Sequence, residues 1–81
     1  MKINDKYYIE KKEFVSKLNE SLNFAKPHLT CEFNLGEEID KVPGCEYVVV
    51  TASNGYQYFI NVTADSLALI GEEVFKAMMS K

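Results

Sequence analysis

Arginine is absent from this chain; all nine basic residues are lysine. Arginine is the side chain best suited to bidentate contacts with phosphate or guanine. Its absence, together with a formal net charge of −3, argues against direct nucleic-acid binding. Histidine occurs once, at His28, and cysteine twice, at Cys31 and Cys45. A zinc site needs about four donors, usually in closely spaced pairs, and these three residues do not supply them. Nucleophilic catalysis needs a nucleophile, a base and an orienting group, and neither a nucleophile elbow nor a phosphate-cradling glycine loop is present. No residue is therefore assigned a catalytic, cofactor-binding or metal-ligating role, and the chain reads as non-enzymatic. Long apolar runs are missing too: none approaches the roughly 18–20 residues of a membrane span. The N-terminal stretch MKINDKYYIEKK has no apolar core of a signal peptide. A cytoplasmic setting without membrane contact is the expectation, and in it the two thiols stay reduced.

What is present suits one small globular domain spanning 1–81, with 47% hydrophobic and 26% charged residues. Residues 1–9 read as a short N-terminal arm carrying Tyr7, Tyr8 and Ile9. Residues 10–25 place Phe14, Val15, Leu18, Leu22 and Ala25 on one helical face, and Pro27 stops that helix. Residues 29–35 alternate: Leu29, Cys31, Phe33 and Leu35 point one way, and Thr30, Glu32 and Asn34 the other. A polar connection, GEEIDKVPG, follows over 36–44. A second helix is expected over 64–79, with Thr63 as its N-cap and Leu67, Ile70, Val74 and Met78 as its inner stripe. Gly71 on that stripe would let the helix approach the sheet closely.

Residues 46–62, EYVVVTASNGYQYFINV, are two β-rich runs about Asn54-Gly55. Asn-Gly is the preferred pair for a two-residue type I′ hairpin loop. That loop places Ser53 opposite Tyr56 and divides the strands into two faces. Tyr47, Val49 and Thr51 join Tyr58, Ile60 and Val62 on the more apolar face, which is expected under the helices. Val48, Val50 and Phe59 fall on the other face, as an apolar patch open to a partner or to a second copy. The predicted fold is α+β: a two-layer αβββα arrangement with a three-stranded antiparallel meander and two helices on one face.

Charge is unevenly spread. Residues 28–75 carry Lys41 alone against Glu32, Glu37, Glu38, Asp40, Glu46, Asp65, Glu72 and Glu73. The αβββα order is similar to that of the double-stranded-RNA-binding domain. That family sets a lysine cluster at the start of its second helix, where this chain has Thr63-Ala64-Asp65-Ser66-Leu67-Ala68. An acid at that point repels phosphate, so RNA binding is rejected. In size, element order and the acidic segment EEIDKVPGCE, the chain also resembles small phage and mobile-element proteins, among them anti-CRISPR inhibitors. That resemblance implies a protein partner with a basic surface, met by Glu32, Glu37, Glu38, Asp40 and Glu46 in place of phosphates. The alternative is a structural homodimer or accessory subunit joined through the outer sheet face.

Overall fold

A computed structural model describes residues 5–80. The element order is α1 (Lys6–Asn23), β1 (Leu29–Leu35), a 3₁₀ turn (Gly36–Glu38), β2 (Glu46–Ala52), β3 (Gln57–Asn61) and α2 (Leu67–Met79). The three strands form one antiparallel sheet in the order β1-β2-β3. Both helices contribute to a single apolar cluster on one sheet face, as the alternation and the helical stripes require. Val15 of α1, Phe33 of β1, Val48 and Val50 of β2, and Ile70, Val74 and Met78 of α2 are fully enclosed there. Each such side chain stabilises the fold by roughly 1.5–3 kcal/mol.

α1 starts earlier than the periodicity suggests. The expected arm over 1–9 is helical from Lys6 onward, and residues 1–4 lie outside the described part. Asp5 is extended and its carboxylate accepts from the Tyr7 amide at 2.8 Å, which makes it the N-cap. This start sets Tyr8 seven residues before Val15 on the inner face, where its ring meets Phe33 edge-on at 6.0 Å. α2 starts later than expected, because Thr63 is used elsewhere. Its hydroxyl accepts from the Glu46 amide at 2.9 Å and donates to Asn61 Oδ1 at 2.6 Å. Ser66 caps the helix instead, accepting from the Leu69 amide. Gly71 serves the contact between helices rather than the sheet: a Cβ there would lie 3.3 Å from the Phe14 ring.

The hairpin corrects the expected register by one residue. Ala52, not Ser53, closes the loop: its amide donates to the Tyr56 carbonyl, and its carbonyl accepts from Gly55, each at 2.9 Å. The loop therefore has three residues, Ser53, Asn54 and Gly55, and only Gly55 takes a positive φ, of 89°. This is a type I turn followed by a left-handed glycine, the common three-residue hairpin. Val48 now pairs with Ile60 and Val50 with Tyr58. Across the other ladder Val48 meets Phe33 and Val50 meets Cys31. The inward residues of β1 and β3 can share a face only if β2 turns Val48 and Val50 inward, and that parity demands an odd loop.

Candidate functional site

The sheet face away from the helices is an open groove of about 540 Å³. Thr30, Glu32 and Asn34 of β1 form one side, Val49 and Thr51 of β2 the floor, and Gln57 and Phe59 of β3 the far side. These are the outward positions of each strand, so strand alternation alone brings them together. Glu38 and Ile39 close one end. They belong to the 36–44 connection, which is held by its own backbone bonds. Gly36 O accepts from Ile39 and Lys41, Gly36 N donates to Cys45, and Cys45 N donates to Val42. Gly36 has no room for a side chain, since a Cβ would clash with the Val42 carbonyl oxygen. The connection carries Lys41 across the groove to sit 4.3 Å from the centre of the Phe59 ring, a cation–π contact.

The five acids expected to act together divide into two groups. Glu46 is turned inward. Its side chain is only 10% exposed and bonds Lys11 of α1 at 2.6 Å, so it offers no charge to a partner. Glu38 is exposed at its stem but committed at both oxygens: Oε1 accepts from the Tyr8 hydroxyl at 3.0 Å and Oε2 from the Leu35 amide at 2.7 Å. Glu32, Glu37 and Asp40 face solvent. Glu32 accepts from Asn34 Nδ2 at 3.1 Å and lies 3.8 Å from Lys12. Glu37 has one long bond from the Gly44 amide, 3.4 Å. Asp40 sits at φ 57°, a left-handed conformation that aspartate tolerates better than most residues.

The apolar patch expected from Val48, Val50 and Phe59 does not exist as a surface. The register correction puts Val48 and Val50 under the helices, both with no exposure, and leaves Phe59 outside at 38%. Sequence reasoning found Glu32 and its polar neighbours on β1. It missed Lys41, which reaches Phe59 only through the path of the loop, and Gln57 and Thr51, which the expected register placed on opposite faces.

The Tyr8 hydroxyl, which donates to the groove residue Glu38, is pushed up to about 12, first by burial and then by its bond to Glu38 and the charges of Glu38 and Glu32. It is a poor acid and is spent on Glu38. Cys31 lies in the core on the opposite face, and its thiol is pushed up to about 11 by burial. Both cysteines are free. Among the described residues no group of three or more His, Cys, Asp or Glu is placed to hold a metal ion, and no helix is long and apolar enough to cross a membrane. Comparison of this chain with protein-family models, with curated proteins and with solved structures found no match.

Proposed function

We propose that this chain is a non-enzymatic protein-binding module that receives a lysine- or arginine-bearing protein surface on the groove face of its sheet. The observation that supports this reading is an open groove with the solvent-facing carboxylate of Glu32 on its β1 side, and with exposed Glu37 and Asp40 next in sequence to Glu38 and Ile39, which close its loop end. Among the described residues, Lys41 is turned onto Phe59 and Lys12 stands 3.8 Å from Glu32. Complementary charge of this kind speeds encounter and fixes orientation. In its sharpest form the partner is a nucleic-acid-binding protein, a nuclease among them, whose phosphate-binding residues meet these carboxylates. The module then acts as an inhibitor.

The test uses Glu32→Lys with Glu37→Lys and Asp40→Asn, leaving Glu38 and Glu46 in place because the fold needs them. Asparagine keeps the left-handed backbone at position 40. The parent, used as bait in a cell lysate, is expected to retain a basic protein. The triple variant should lose that protein by tenfold or more in affinity, about 1.4 kcal/mol, with its melting temperature within about 2 °C of the parent. Raising salt should weaken the parent's capture as well. An identical set of captured proteins for parent and variant would remove the reading.

A further inference from the structure

We propose that the free edge of β3 is a self-association site, which pairs antiparallel with β3 of a second copy of this chain. The two edges of the sheet are treated very differently. In β1 the backbone groups of Leu29, Cys31, Phe33 and Leu35 point away from β2. Side chains meet one group of each residue: Asn23 Nδ2 donates to Leu29 O at 2.8 Å, Cys31 N donates to Asn19 Oδ1 at 2.9 Å, Lys12 Nζ donates to Phe33 O at 2.9 Å, and Leu35 N donates to Glu38 at 2.7 Å. Lys12, Asn19 and Asn23 all come from one row along α1. In β3 the bonds from Ala52 N to Tyr56 O and from Val62 N to Glu46 O fix which residues face β2. Gln57, Phe59 and Asn61 alternate with those, so their N–H and C=O groups point outward. Among the described residues nothing bonds to these six groups.

Natural edge strands are blunted by charge, proline, bulges or a covering element. β3 itself carries no charged residue, no proline and no bulge in its pairing with β2; Lys41 reaches it only at the Phe59 ring, on the groove side. No charged residue and no proline lies between Glu46 and Asp65. A chain of net charge −3 repels its own copies, and residues 47–64 add no charge of their own to that repulsion. The strand QYFIN is also self-complementary about Phe59. Antiparallel two-fold pairing sets Phe59 opposite Phe59 of the second copy, Gln57 opposite Asn61, and Tyr58 opposite Ile60. Amides then meet amides on the groove side, apolar groups meet on the helix side, and all six outward groups bond at once. Tyr56, 58% exposed, and Phe59 add apolar area at the seam. The result is a continuous six-stranded sheet with a closed, isologous contact. This inference does not rest on the acidic groove.

Light scattering and sedimentation equilibrium on the full chain from about 10 μM to about 1 mM test it. The parent is expected to move from monomer to dimer mass across the series. Phe59→Lys and Phe59→Glu should each stay monomeric, because the two-fold places like charges opposite one another. Mixed in equal amounts, they should recover the dimer. The Glu32/Glu37/Asp40 variant should dimerise like the parent. Gln57→Pro removes one outward N–H without adding charge and should weaken association about tenfold, which decides the matter if the Phe59 variants lose their circular dichroism. A parent that is monomeric throughout, a dimer that survives in both Phe59 variants, or a mixture that stays monomeric while the parent dimerises would each overturn the proposal.

Discussion

Lys11 and Glu46 bond at 2.6 Å, thirty-five positions apart in sequence, with both side chains almost covered. A covered carboxylate without its cation keeps the cost of desolvation and loses its compensation. Lys11→Met should therefore destabilise the fold by about 2–3 kcal/mol in urea denaturation, far more than an exposed lysine would. The same pair explains why Glu46 is not a surface acid, and nothing local to a strand start announces that a helix will supply a partner. Cys31 and Tyr8 make a second case at this scale. Both are neutral when folded, and burial raises them from the usual 9.0 and 10.0 to about 11 and about 12. In the unfolded chain each ionises first, so the folded state holds more protons and stability falls as pH rises. The contribution is intact below about pH 9. It is lost from 9 to 11 for the thiol and from 10 to 12 for the hydroxyl, with a slope of at most about 1.4 kcal/mol per pH unit for each group. Urea midpoints measured across pH 8–11 should decline, and Cys31→Ala should flatten the decline over its first two units.

Among the elements, β1 and β3 were legible and β2 was not. Leu29, Cys31, Phe33 and Leu35 alternate with Thr30, Glu32 and Asn34, so one face declares itself. β2 opens with Tyr47 and three valines, and either face of it can be buried. Its orientation is decided by its neighbours, through Phe33, Cys31, Ile60 and Tyr58. The Asn54-Gly55 turn was legible as a turn, but its length was not, because Asn-Gly serves a three-residue loop nearly as well as a two-residue one. A specific outcome follows from the closing pair Ala52 and Tyr56. Deleting Ser53 leaves Asn54-Gly55 as a two-residue loop between the same two residues. The deletion should be tolerated within about 1 kcal/mol, with nuclear Overhauser contacts from Val48 to Ile60 and from Val50 to Tyr58 preserved. Contacts shifted to Val50 and Phe59 would show that the turn, rather than the core, sets the register. At the helix starts the capping residues were visible in the sequence, and competition for them was not. Thr63 and Ser66 are both good N-caps, and Thr63 is claimed by Glu46 and Asn61.

On the scale of the whole molecule, charge and topology divide the surface into distinct regions. The helices cover one face of the sheet and leave the other to the groove. The acidic stretch of the sequence leaves Glu32 on the groove wall and Glu37 and Asp40 exposed on the connection beside it, while the carboxylates of Glu38 and Glu46 are bonded within the fold. The candidate site was thus half legible: strand alternation gives its β1 side, and the loop path that brings Lys41 over Phe59 depends on contacts no local pattern encodes. The row of Lys12, Asn19 and Asn23 along α1 has one more consequence. A sheet that offers one bare edge and one occupied edge can gain a single neighbour and then has nowhere further to grow. In the proposed pairing of β3 edges the helix would thereby act as a chain terminator, favouring a pair of molecules over a fibre, and it would do so with three side chains that lie outside the apolar core.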